Sequence, residues 1–192
     1  MRQDPRQLDP HAVSLDVSAF VRILRTKYAH QPKGLSLGPS RFSSPSGIFR
    51  VLYAAQDFPT ALAEAVVRDR FVGRQRRYIG WSTLAARSVT LIGTTAPLTV
   101  LDVRGPAAYM LGLDTNAVRG RTHNSGQAFS EWLHAETGLD GLLYDSRLTG
   151  RPCLVVYERA LTKVHASPAQ PLFAHADLIP ELHRMNITVR KP

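Results

Sequence analysis

The sequence predicts an α+β domain, a single unit with a strongly twisted, mostly antiparallel sheet and flanking helices. Three observations predict it. Strand-like apolar runs outnumber helical ones, they come in adjacent pairs, and turn-forming residues separate the members of a pair instead of the crossover helices a βαβ repeat needs. The 192 residues amount to one domain. A composition of 44% hydrophobic and 20% charged residues lies near the globular average, so a core can form.

In chain order, residues 1–18 read as a polar N-terminal arm, 19–160 as the main domain and 161–192 as a C-terminal extension packing on it. Ala19 to Leu24 predicts a strand, and a Gly/Pro/Ser-rich, arginine-bearing loop runs from Ala29 to Gly47. A loop that long in a compact domain points to binding. Ile48 to Ala54 predicts a second strand. Asp57-Phe58-Pro59-Thr60 then announces a helix over Thr60 to Phe71, with Ala61, Leu62, Ala65 and Val66 as its apolar stripe. Glu64 borders that stripe, with Arg68 four residues on at ion-pair spacing. Val89 to Gly93 and Leu98 to Val103 predict strands, Pro106 to Leu111 a short helix, and Gly112 to Ser125 a polar loop. A helix follows over Gly126 to Thr137, with Gly138 as its C-cap. Leu142 to Tyr144 and Pro152 to Tyr157 are two more strands, joined by the turn from Asp145 to Gly150. Ala176 to Met185 predicts a last helix, and Ile187 to Arg190 an edge strand.

Lys and Arg number 24 against 15 acidic residues, a net charge of +9, and 20 of the 24 are arginine. The N-terminal half carries +8 of that charge. Arginine's planar fork pairs bidentately with phosphate, so the balance suits an anionic ligand. The densest run, Arg68 to Arg77, is read either as a solvated or docking face or as a nucleic-acid patch. No stretch reaches the roughly 18 apolar residues of a membrane span, and MRQDPRQLDP lacks the apolar core of a secretory signal. The lone Cys153 forms no internal disulfide and no multi-cysteine metal site, which suits a reducing cytoplasm.

Several motifs carry nothing further. Gly34-Leu35-Ser36-Leu37-Gly38 matches G-x-S-x-G, but no buried strand precedes it and no apolar helix follows, as a nucleophile elbow requires. His134-Ala135-Glu136 lacks the P-C-x-x-C of a zinc deaminase, and no H-E-x-x-H, G-x-G-x-x-G or Walker A loop occurs. A constellation remains: Arg22 in FVRILR, Arg41 in GPSRFSSPSG, Tyr53 in VLYAA, Glu64 in PTALAEAVV and Ser146 in GLLYDSR.

The run from Gly38 to Val67, with its R-F, Y-A-A and T-A-L-A-E spacing, resembles the core of the RES-domain toxins of bacterial RES-Xre toxin-antitoxin systems. The resemblance covers roughly Phe20 to Tyr157. It implies an ADP-ribosyltransferase-like fold and consumption of NAD by cleavage of the nicotinamide-ribose N-glycosidic bond. Water, phosphate or a protein side chain would then take the ADP-ribose, and the sequence leaves these open between hydrolysis, phosphorolysis and ADP-ribosyltransferase activity. It further implies Glu64, Arg41 and Ser146 as catalytic residues and Arg22, Arg41, Tyr53 and Ser146 as substrate contacts. NAD would be substrate, with no permanently bound cofactor and no metal. The implied partner is an Xre-like helix-turn-helix antitoxin that blocks the active site, nucleic acid being reached through it, and a homodimer is compatible with the sequence. The chemistry agrees with the residues: a carboxylate suits an oxocarbenium-like ribose, and arginines suit a pyrophosphate. The alternative is a basic nucleic-acid-binding module or RNA-cleaving toxin that tracks phosphates with Arg68 to Arg77.

Overall fold

The central strand shows how the sequence sets the fold. In Pro152–Tyr157 (β8), Cys153, Val155 and Tyr157 face one apolar cluster while Leu154 and Val156 face another. Successive side chains of a strand point to opposite faces, so a run apolar at every position belongs in the middle of a sheet covered on both sides. Each fully buried side chain of this kind contributes about 1.5–3 kcal/mol. Val51–Ala55 (β3) divides the same way, with Val51 and Ala55 in the first cluster and Leu52 and Ala54 in the second.

The computed structural model describes residues 5–36, 39–113, 120 and 122–190. Around β8 the main sheet runs, in order, β1 (Ala12–Leu15), β6 (Leu98–Asp102), β7 (Gly141–Asp145), β8, β3, β2 (Phe20–Arg25), β5 (Arg87–Thr94) and β10 (Gln170–Pro171), with β9 (Val164–Ala166) also on β5. Only β6 and β7 pair in parallel within it among the described residues. The α+β class with a mostly antiparallel sheet therefore holds. Gly141 leaves β7 room beside β8, since a Cβ there would lie 1.9 Å from the Val155 carbonyl oxygen.

The sheet is nearly split in two. β2 matches β5 over six register pairs and β3 matches β8 over five, but β2 and β3 share only Val21↔Ala55. Past that pair the strands diverge.

Against the first face packs α1 (Phe58–Leu62), capped by the Asp57 side chain on the Thr60 N–H at 2.9 Å. The helix does not run to Phe71 as its periodicity suggests. It widens into a π turn over Ala63–Val67, closed by Arg68 N–H on the Ala63 carbonyl at 2.7 Å, and stops where Arg68 adopts φ +43°. Glu64 and Arg68 consequently do not make the expected pair.

The remaining elements are α2 (Trp81–Ala85), α3 (Ala107–Met110), α4 (Asn124–Glu136) and α5 (Leu178–Arg184). Thr137, not Gly138, terminates α4: its backbone is extended and its hydroxyl donates to the Leu133 carbonyl at 2.6 Å. The expected N-terminal arm contributes an edge strand, β1 on β6, which its alternation of Val13 and Leu15 with serine supports. The C-terminal segment supplies Leu172, Leu178, Leu182 and Ile187 to the same core, and β11 (Thr188–Arg190) pairs in parallel with β4 (Tyr78–Gly80). Among the described residues, no helix is long and apolar enough to cross a membrane. Part of the expected loop from Gly112 to Ser125 and the Leu37-Gly38 end of the G-x-S-x-G string lie outside the described residues.

Candidate active site

Where β2 and β3 diverge, a cavity of about 1100 Å³ opens. Four of the five residues singled out in the sequence line it: Arg22, Arg41, Tyr53 and Glu64. Ser146 lies behind the wall, 2% exposed, with its hydroxyl on Glu64.

One face of the Asp57–Glu64 segment is stitched to the turn between β7 and β8. Arg151 pairs with Asp57 at 3.1 Å, Thr149 meets Thr60 at 3.0 Å, and Ser146 Oγ donates to Glu64 Oε1 at 2.6 Å. Beyond them Arg147 pairs with Asp69 at 2.6 Å. Positions 57, 60 and 64 recur at helical spacing, so one turn of chain fixes the whole face. The Ser146 oxygen also accepts the Leu148 and Thr149 N–H groups at 3.1 and 3.2 Å, which orients its single proton toward the carboxylate. A hydroxyl so committed aims Glu64 and has no proton left for a ligand.

Arg41 is carried by a loop pinned from two sides. The Tyr53 hydroxyl accepts the Phe42 N–H at 2.9 Å and shares a hydrogen bond with Ser40 at 2.9 Å. From α4, Gln127 donates to the Ser40 carbonyl at 3.0 Å and Ser130 to the Phe42 carbonyl at 2.8 Å. The Phe42 ring is fully buried, edge-on to Tyr144 at 5.0 Å. Burial lowers the Arg41 pKa, and the charges of Tyr144 and Glu64 oppose that fall, which places guanidinium and carboxylate in one field. Burial pushes the Tyr53 phenol up to about 12, so it stays protonated. Tyr53→Phe is expected to cost about 1–2 kcal/mol, because the buried Phe42 N–H loses its acceptor. A lower urea midpoint together with a raised KM for the ligand would register both the lost bond and the loosened Arg41.

Arg22 is placed differently from the phosphate clamp the sequence suggested. Its terminal nitrogens donate to the Tyr53 carbonyl at 3.2 Å and the Gly34 carbonyl at 2.5 Å, spanning the gap where ladder bonds between β2 and β3 are missing. Burial lowers its pKa to about 10, still charged at neutral pH, and its buried Nε has no hydrogen-bond partner among the described residues. Arg22 is thus a strut with one donor to spare.

Sequence reasoning passed over the lining residues Arg87, His123 and Tyr144, and it read Arg68, which also borders the cavity, only as an ion-pair partner and part of the arginine run. Burial, then Arg41 and Arg68, lowers the His123 pKa, favouring the neutral imidazole. The two ends of the arginine run differ: Arg68 borders the cavity, while Arg77 donates to the Met185 carbonyl at 2.9 Å and lies 5.0 Å over the Phe71 ring. The sequence shows the density of the run and not this division. Among the described residues, no three or more His, Cys, Asp or Glu side chains gather as a metal site.

Residues 19–179 match the RES domain. The chain belongs to the RES domain family. It is 31% identical over 119 residues to the probable toxin y4kH of Sinorhizobium fredii (strain NBRC 101917 / NGR234), covering 60% of this chain and 93% of that protein. The fold of this RES domain is similar to the crystal structure of the M. tuberculosis MbcT-MbcA toxin-antitoxin complex, with TM-score 0.64 and 18% identity over 86% of this chain and 89% of that one.

Proposed function

We propose that this RES domain is the toxin of a toxin-antitoxin pair and consumes NAD by breaking its nicotinamide-ribose bond. The observation that carries the reading is Glu64, aimed by Ser146 and lying in the field of Arg41 on the wall of a basic cavity. The C1′–N bond breaks heterolytically and its electron pair passes to the pyridinium nitrogen, so nicotinamide leaves neutral. The ribose develops oxocarbenium character, which the Glu64 carboxylate stabilises. Water or phosphate then bonds to C1′ and loses its proton, giving ADP-ribose or its 1″-phosphate. A protein nucleophile at the same position would give ADP-ribosylation.

The similarity to a probable toxin and to a toxin-antitoxin complex supports a protein partner that restrains this activity. An Xre-like antitoxin covering the cavity, in the cytoplasm, fits the basic N-terminal half. The phosphate-tracking alternative has less support because Arg77, at the end of the run, is spent on the Met185 carbonyl.

Purified chain incubated with NAD, with and without phosphate and with protein labelling followed in parallel, is expected to release nicotinamide with ADP-ribose or its phosphate. Label retained on protein would select transfer, and absence of nicotinamide under every condition would overturn the reading.

A further inference from the structure

The cavity is more basic than NAD requires. Seven arginines line it among the described residues, against the two carboxylates of Glu64 and Asp69. Asp69 is already paired with Arg147, and Glu64 is held by Ser146. NAD brings a pyrophosphate and a cationic nicotinamide, which leaves little net negative charge to meet the excess.

Much of that excess is gathered at one end. Arg25 and Arg87 lie directly opposite each other in the β2–β5 ladder, so their side chains share a face. Like charges in that position destabilise a sheet. Arg68 and Arg70 leave the π turn beside them: their charges, with that of Arg25, add to burial in lowering the Arg87 pKa. Arg68 reaches this place from a backbone at φ +43°, ψ −135°, a conformation that costs about 1–3 kcal/mol in a non-glycine residue. No carboxylate among the described residues forms an ion pair with any of the four. Arg25 and Arg87 also border an adjoining hollow of about 510 Å³, together with Thr26, Lys27 and Thr83. A self-repelling cluster on a strained turn, open to a cavity, is compensated when an anion binds it.

Resting on the dinucleotide reading above, we propose that Arg25, Arg68 and Arg87 form a second anion subsite that takes a phosphate monoester, making the 2′-phosphorylated dinucleotide NADP the preferred substrate. A monoester adds about −1.5 to −2 charge at neutral pH and three acceptor oxygens, a match for arginine forks. Its position also fits: the 2′-phosphate sits on the adenosine ribose, away from the scissile bond, and Arg25 closes β2 on the face of Val21 and Ile23, the face on which α1 packs. Free inorganic phosphate has the same chemistry, so the test separates the two sources.

Nicotinamide release from NAD and from NADP would be compared for the full chain and for Arg25→Gln/Arg87→Gln, each with and without inorganic phosphate. In parallel, the melting temperature would be followed with adenosine 2′,5′-bisphosphate, adenosine 5′-monophosphate and phosphate alone. Expected is a kcat/KM for NADP about tenfold above that for NAD, with the ratio collapsing in the double variant. The variant should melt no lower than the parent, since it loses like-charge repulsion. The bisphosphate should stabilise the parent more than the monophosphate, and the variant no more than it. Cleavage of NAD without preference for NADP, or a preference that survives the double substitution, would overturn the subsite. Equal stabilisation by phosphate alone, again without preference, would assign the cluster to free phosphate and likewise overturn it. Failure of both dinucleotides to release nicotinamide would defeat the reaction instead, and the melting comparison would still decide the subsite.

Discussion

Glu64→Gln is expected to lower kcat for nicotinamide release by about 10³-fold or more, some 4 kcal/mol of transition-state stabilisation, with KM changed little. The substitution is nearly isosteric. The amide oxygen still accepts the Ser146 hydroxyl now found at 2.6 Å, so the helix stays stitched to the β7–β8 turn. In the proposed reaction, what disappears is the negative charge facing the ribose as its bond to nicotinamide breaks. Because that charge matters most when the ribose is most cationic, the loss belongs in kcat. Stopped assays of nicotinamide, with circular dichroism to verify the fold, measure it. A variant retaining more than about a tenth of parental kcat would remove Glu64 from the chemistry.

Ser146→Ala is expected to lower kcat about 30- to 100-fold while KM stays near the parental value, and to cost about 1–3 kcal/mol of stability. Both effects come from one oxygen. It donates to Glu64 and accepts from Leu148 and Thr149, so its removal frees the carboxylate to rotate and leaves two N–H groups without acceptors. Ser146→Thr, which keeps the hydroxyl, should recover most of the rate. Adding Ser146→Ala to Glu64→Gln should cost almost no further activity, since the serine acts through the carboxylate. Additive losses in that double variant, or a raised KM in the single one, would instead give Ser146 a direct contact with substrate.

The frame of this molecule was legible because its strands carry the signal in their own residues. PCLVVY and GLLYD are apolar at successive positions and must be covered on both faces, whatever lies elsewhere in the chain. Asp57 and Pro59 likewise mark the start of α1 locally. The end of α1 was not legible, because Ala65 and Val66 within the π turn and Phe71 beyond it continue the apolar period, and no residue type announces a φ of +43° at Arg68. The short partners β9 and β10 were missed for another reason. VHA and QP have no pattern of their own and become strands only by pairing with β5, 70 or more residues away.

The site divides along the same line. Glu64 could be picked out beside an apolar stripe, yet its partner Ser146 is 82 positions distant and only the folded chain joins them. Arg22 was recognisable as an arginine in a strand, but its use on two carbonyls follows from the gap between β2 and β3. Arg25 and Arg87 look like ordinary strand-end cations until the β2–β5 register sets them face to face.

The single pair between β2 and β3 has a mechanical meaning. The cavity's two walls belong to half-sheets with separate backbones, Arg25 and Arg87 on one side, Tyr53, Tyr144 and Cys153 on the other. Beneath the core they share, one rung and one guanidinium join them at the level of the sheet. A dinucleotide lodged between them would work as a rivet, adding cross-links that the chain's own ladder omits, so that cohesion of the whole domain would rise with occupancy.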